Sequence, residues 1–159
     1  MAMRGALTLQ RAVAAARANQ AESAYEYLRE AREMAAAVGD GRNDYNTEFG
    51  PTNVGLHEVA VAVDLGDAGI ALRAVNSIDP SVLSTERQTR FHIDVARAYT
   101  QRRQTDDAVA RLLTARDLSP EMFRAMPMVK QLVTDLLTMS QPTSDQLRGL
   151  ARELGVLEM

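Results

Sequence analysis

Apolar residues recur three and four positions apart along most of the chain: Ala24, Leu28 and Ala31, then Ala68, Leu72 and Val75, then Ala108, Leu112 and Ala115. That period gathers each set on one face of an α-helix. Nowhere do apolar and polar residues alternate strictly over a strand's length, so no half-buried strand is expected. The pattern predicts an all-α chain of about eight helices, near 5–18, 22–38, 51–65, 68–77, 85–103, 106–117, 127–139 and 144–154. Local chemistry sets the ends. Gly39-Asp40-Gly41 stops one helix, Pro51 sits at a first turn where no N–H is needed, and Gly66-Asp67 turns one helix into the next. Thr85 with Gln88, and Thr143 with Gln146, have capping-box spacing. Ser119-Pro120 and Gln141-Pro142 close two further segments, and residues 39–50, rich in Gly, Asn and Asp, form the longest loop.

The helices repeat. Ala68, Leu72, Val75 and Pro80 stand at offsets 0, 4, 7 and 12, and Ala108, Leu112, Ala115 and Pro120 repeat those offsets 40 residues later. Ala24, Leu28 and Ala31 follow the same rule 44 residues before Ala68. Nine residues ahead of each alanine lies a contact position on the preceding helix: Ala15, Val59 and Tyr99. A small residue early in the second helix lets it approach the first closely, and the proline ends the unit. The expected architecture is a stack of helical hairpins in a single domain spanning 1–159. The pattern resembles the tetratricopeptide repeat, with Val95-Ala96, Tyr99, Ala108, Leu112, Ala115 and Pro120 the best single unit.

The segments FGPTNVGLHEVAVAVDLGDAGIAL, DVARAYTQRRQTDDAVARLLTARDLSPE, MVKQLVTDLL and LRGLARELGV resemble the C-terminal region of actinobacterial helix-turn-helix regulators of the xenobiotic-response-element class. The resemblance implies a tetratricopeptide-like region that senses a ligand or partner behind an N-terminal DNA-binding domain. It also implies a homodimer, since such regulators bind DNA as dimers. No helix-turn-helix precedes the repeats here, so nucleic acid is an expected partner only through a domain absent from this chain. LRGLARELGV itself looks like the opening of a helix-turn-helix, but a recognition helix would have to follow its turn, and three residues follow Val156. It is expected to be the capping helix of the stack.

Composition narrows the function classes. With no cysteine in 159 residues there is no disulfide framework or thiolate metal site, which favours a reducing, cytoplasmic setting. No apolar run is long enough to span a bilayer, and the first residues lack the apolar core of a signal peptide. The net charge of -3 offers no bulk attraction to nucleic acid. The basic residues are 17 Arg and one Lys, Lys130, which reads as genome composition rather than arginine chemistry.

Candidate chemistry centres on two first helices. Asn53 and His57 are four apart and share a face, and Arg90, Asp94, Arg97 and Gln101 follow at spacings 4, 3 and 4. A 40-residue offset sets His57 opposite Arg97. Asn53 offers an amide for an extended peptide, Arg97 or Arg90 a bidentate grip on carboxylate or phosphate, and His57 a pH-dependent donor, while small Ala60 and Thr100 leave room. The expected ligand is a small molecule or short peptide, with Asp94 holding Arg97 when the groove is empty. The plainer alternative stays open: Asn53 bracing the helix start, His57 packing, and the α-helical charges forming a solvated face.

An enzyme is not expected. The two histidines, His57 and His92, sit in no catalytic motif, glycine-rich phosphate loops are absent, and neither a cofactor nor a metal site is indicated. The acidic stretch 40–48 has Arg42 and Tyr45 where a calcium loop needs a ligand and a glycine, so it reads as a plain surface loop. A protein-docking scaffold without an effector is the second functional reading, drawing on Met122, Phe123, Met126 and Met128, whose simpler use is to cover the last hairpin's core.

Overall fold

The computed structural model describes residues 1–40 and 48–157, so the loop reading of residues 41–47 lies outside the described residues. Among the described residues there are nine α-helices and no strand: α1 (Ala2–Arg17), α2 (Ala21–Val38), α3 (Pro51–Asp64), α4 (Ala68–Val75), α5 (Thr85–Gln101), α6 (Thr105–Leu118), α7 (Pro120–Ala125), α8 (Pro127–Met139) and α9 (Asp145–Glu153). Eight stand where periodicity puts them, with ends displaced by at most three residues. The ninth, α7, was not anticipated. Pro120 reads as a terminator but also occupies the first helical position of α7, where its missing N–H costs nothing, and Pro127 starts α8 in the same way. The cap of α9 is corrected by one residue: Ser144 Oγ accepts from the N–H of Leu147 at 3.2 Å, whereas Thr143 Oγ1 donates back to the carbonyl of Ser140.

The chain divides into two compact units, Met1–Ser84 and Thr85–Met159. In the first, α1 pairs with α2 and α3 with α4, and α3 lies against both α1 and α2. Its core is mostly small: Ala12, Ala15 and Ala16 of α1 meet Ala24, Leu28, Ala31 and Ala35 of α2, closed by Leu9, Phe49, Val54 and Val61. Alanine seams let helix axes approach closely, which explains how 4% aromatic content suffices. In the second unit α5 pairs with α6 and α8 with α9, α7 bridging them, so that α8 packs on α5 and α9 on α6. Leu112, Phe123, Val129, Val133, Leu136, Leu147 and Leu150 fill its core.

Three hairpin turns share one backbone design. The N–H groups of Asn19, Gly66 and Arg103 reach the carbonyls of Ala16, Val63 and Thr100 at 3.0 Å each, and those of Gln20, Asp67 and Gln104 reach Ala15, Ala62 and Tyr99 at 2.8, 2.7 and 2.9 Å. The first residue of each pair is left-handed, with φ of 57°, 80° and 57°. These are Schellman turns, and α9 ends the same way at Gly155.

The turns also correct the repeat register. Four residues after Gln20, Asp67 and Gln104 come Ala24, Ala71 and Ala108, each fully buried and each donating its N–H back to that turn residue. The partner of Ala24 and Ala108 is therefore Ala71, not Ala68, and the matching positions on the first helices are Ala15, Ala62 and Tyr99 rather than Val59. Asn19 to Gly66 is 47 residues and Gly66 to Arg103 is 37. Burial agrees, since Leu72 and Val75 are only half-buried while Leu112 and Ala115 are fully buried.

Candidate functional site

The six expected ligand-binding residues divide between the units, Asn53 and His57 in the first and Arg90, Asp94, Arg97 and Gln101 in the second. On α3, Asn53 is 2% exposed and its backbone carbonyl receives the ring of His57 at Nδ1, 2.9 Å away. A carbonyl can only accept, so Nδ1 carries the hydrogen. Nearly every side of α3 is covered: Val54, Leu56, Val59, Val61, Ala62 and Val63 are buried with Asn53, while His57 and Ala60 are half-buried. The start of α3 is held from outside by Asp40, whose carboxylate accepts from the N–H of Thr52 at 3.0 Å and from its hydroxyl at 2.7 Å. Arg32 of α2 pairs with Glu58 on the same helix as His57.

On α5 the polar residues run from exposed Arg90 through half-buried Asp94 and Arg97 to exposed Gln101. Arg97 Nη1 donates to Asp94 Oδ1 at 3.0 Å, and both side chains are 18% exposed. Arg90 pairs instead with Glu86, one turn back, at 3.5 Å on the open surface. Thr100, expected to leave room in a groove, is buried and gives its hydroxyl to the carbonyl of Ala96 at 2.8 Å. The turn-based register changes the pairing of positions between hairpins. Residues 37 apart are equivalent, so His57 corresponds to Asp94 and Asn53 to Arg90; Arg97 is not the counterpart of His57.

One contact in the second unit escaped sequence reading. His92 of α5 faces α6, where Arg111 Nη1 lies 3.1 Å from its Nδ1. A guanidinium only donates, so Nδ1 is bare and the imidazole is neutral. Burial, reinforced by the Arg111 charge, pushes His92 down to about 4. No spacing in the sequence signals a pair split across two helices. In the first unit Tyr25 donates its hydroxyl to Asp67 Oδ2 at 2.7 Å, tying α2 to the α3–α4 turn; burial, then this bond and its charge, push the phenol upward.

The methionine and aromatic cluster around Pro127 is largely internal. Phe123 is fully buried and Met126 packs against the core, leaving Met128 at 39% exposure. Among the described residues no group of three or more His, Cys, Asp or Glu side chains is placed to hold a metal ion, and no helix is long and apolar enough to cross a membrane. No protein-family model, curated protein or solved structure matches the chain.

Proposed function

We propose that the chain is the ligand- or peptide-sensing region of a helix-turn-helix transcriptional regulator of the xenobiotic-response-element class, acting without catalysis. The observation that supports this most is the Asp94–Arg97 pair on α5. At 18% exposure each side chain is shielded from bulk water yet reachable, and the pair lies on the first helix of a hairpin. A ligand carboxylate competing with Asp94 for the guanidinium gains a charge-assisted bond and releases an aspartate. Such an exchange is a means of coupling occupancy to helix position. The hairpin architecture supports the reading too, because repeats of this kind present rigid first helices to extended ligands.

The test uses an N-acetylated tetrapeptide with a free carboxylate, titrated into the wild type and Arg97→Ala. Binding to the wild type, with loss in the variant and a melting temperature unchanged within a few degrees, supports the reading. A variant that binds equally well, or a wild type that takes up no peptide at millimolar concentration, overturns it. The regulatory half of the proposal is checked by the native transcript, whose reading frame upstream of Met1 should encode a helix-turn-helix; an independent start at Met1 removes it.

A further inference from the structure

A second feature lies beyond the C-terminal end of α5. Within the second unit, the α5–α6 turn and the α8–α9 connection enclose a half-open cavity of about 380 Å³. Arg103, Thr105 and Asp106 line it from one side, Met139 and Ser144 from the other, and buried Val109 forms part of its wall. That volume falls in the range of small-ligand sites.

Two exposed side chains of opposite charge line this cavity. Arg103 and Asp106 both line it, yet neither side chain makes a hydrogen bond or ion pair with any described residue, nor do the two pair with each other. The backbone adds an independent observation. Arg103 sits at the left-handed position of a turn whose two counterparts are Asn19 and Gly66. Asn and Gly tolerate that conformation, whereas arginine has no local means of relieving it. The turn therefore carries its guanidinium at the cavity against the preference of the backbone, and strained residues of this kind gather at binding sites.

We infer that the cavity at the α5–α6 turn binds a small zwitterion, an α-amino acid or dipeptide, with Arg103 taking its carboxylate and Asp106 its ammonium. Thr105 supplies a hydroxyl, and Val109 with Met139 accept a short apolar side chain. A plain anion is disfavoured by Asp106 and a plain cation by Arg103, so the site selects a molecule bearing both charges.

The test is residue-resolved NMR titration of the full chain with three probes: free leucine, Ala-Leu, and Ala-Leu acetylated and amidated. Shifts confined to residues 103–109 and 139–144, produced by a free probe and absent for the blocked dipeptide, support the site, and comparing leucine with Ala-Leu fixes its size class. Asp106→Asn should weaken binding about tenfold or more, the range for one charge-assisted bond. Arg103→Gly separates binding from folding: it relaxes the left-handed turn, so the melting temperature should hold or rise while binding is lost. Equal shifts from the blocked dipeptide, or no shift at these residues at 10 to about 50 mM probe, well above usual small-ligand working levels, overturn the inference. So does an Arg103→Gly variant that binds like the wild type. Arg97→Ala should leave this binding unchanged, which keeps its outcome separate from that of the α5 face.

Discussion

Gly5 has no side chain because Phe49 occupies the space where one would stand. A β-carbon at Gly5 would lie 2.2 Å from Phe49 Cζ and within 2.6 Å of both ring edges. Replacing a helical glycine by alanine ordinarily stabilises by roughly 0.5–1 kcal/mol. Here the ring is 1% exposed and has nowhere to swing, so overpacking decides the sign. Gly5→Ala is expected to destabilise by about 1–3 kcal/mol in denaturant melts, and Gly5→Ala with Phe49→Leu should recover part of it. His92 gives a second residue-scale prediction. Neutral in the folded chain down to about pH 4, it protonates in the unfolded chain near 6.5, so its contribution is complete above 6.5 and is lost as pH falls toward 4. The melting temperature of the wild type should therefore drop more steeply across that window than that of His92→Gln, which can still accept from Arg111. Parallel pH profiles would show that the imidazole does not titrate this way. Neither residue was legible in the sequence. Gly5 and Phe49 meet across 44 positions, and His92 finds Arg111 across 19, distances at which local spacing carries no signal.

The helices themselves were legible because helical period is local: apolar spacing of three and four marks a buried face whatever it packs against. Register was harder. Ala68 and Ala71 are three apart, nearly one turn, and both face inward, so offsets alone cannot choose between them. The hydrogen bonds of the turn can, and they select Ala71. This makes a prediction at the scale of the element. If Leu72 and Leu112 were equivalent, truncating them would cost the same. Leu112 is fully buried and Leu72 only partly, so Leu112→Ala should cost about 2–5 kcal/mol and Leu72→Ala less than half as much. Equal losses in urea would restore the 40-residue register. At the start of α9, Ser144→Ala should cost about 1 kcal/mol and Thr143→Ala less, reversing the order that the Thr143–Gln146 spacing suggests. The six residues of α7 were missed because one and a half turns are too short to display a period.

The two units carry separate core clusters, one built on Leu9, Leu28 and Val54, the other on Leu112, Phe123 and Leu136. Residues 85–159 expressed alone should be helical by circular dichroism and melt cooperatively; a non-cooperative melt would mean that the second cluster cannot sustain a fold. For association, a two-fold pair would sediment at twice the chain's 17.4 kDa, and a single 17.4 kDa species at micromolar concentration would exclude it. At this scale the candidate site was legible only as a list of polar positions on first helices. Burial then distinguished them: Asn53 is internal, Asp94 and Arg97 are half-shielded, and Arg90 and Gln101 are open to water. The three Schellman turns have one more consequence, for how such a chain diverges. Asn19, Gly66 and Arg103 satisfy one backbone geometry with an amide, a bare glycine and a guanidinium, since the bonds that make the turn are all main-chain. Descendants can exchange those residues while main-chain bonds hold the turn, at a modest conformational cost wherever the newcomer is neither glycine nor asparagine. Divergence in what homologous chains recognise should therefore concentrate at these three corners, ahead of any change in the alanine seams.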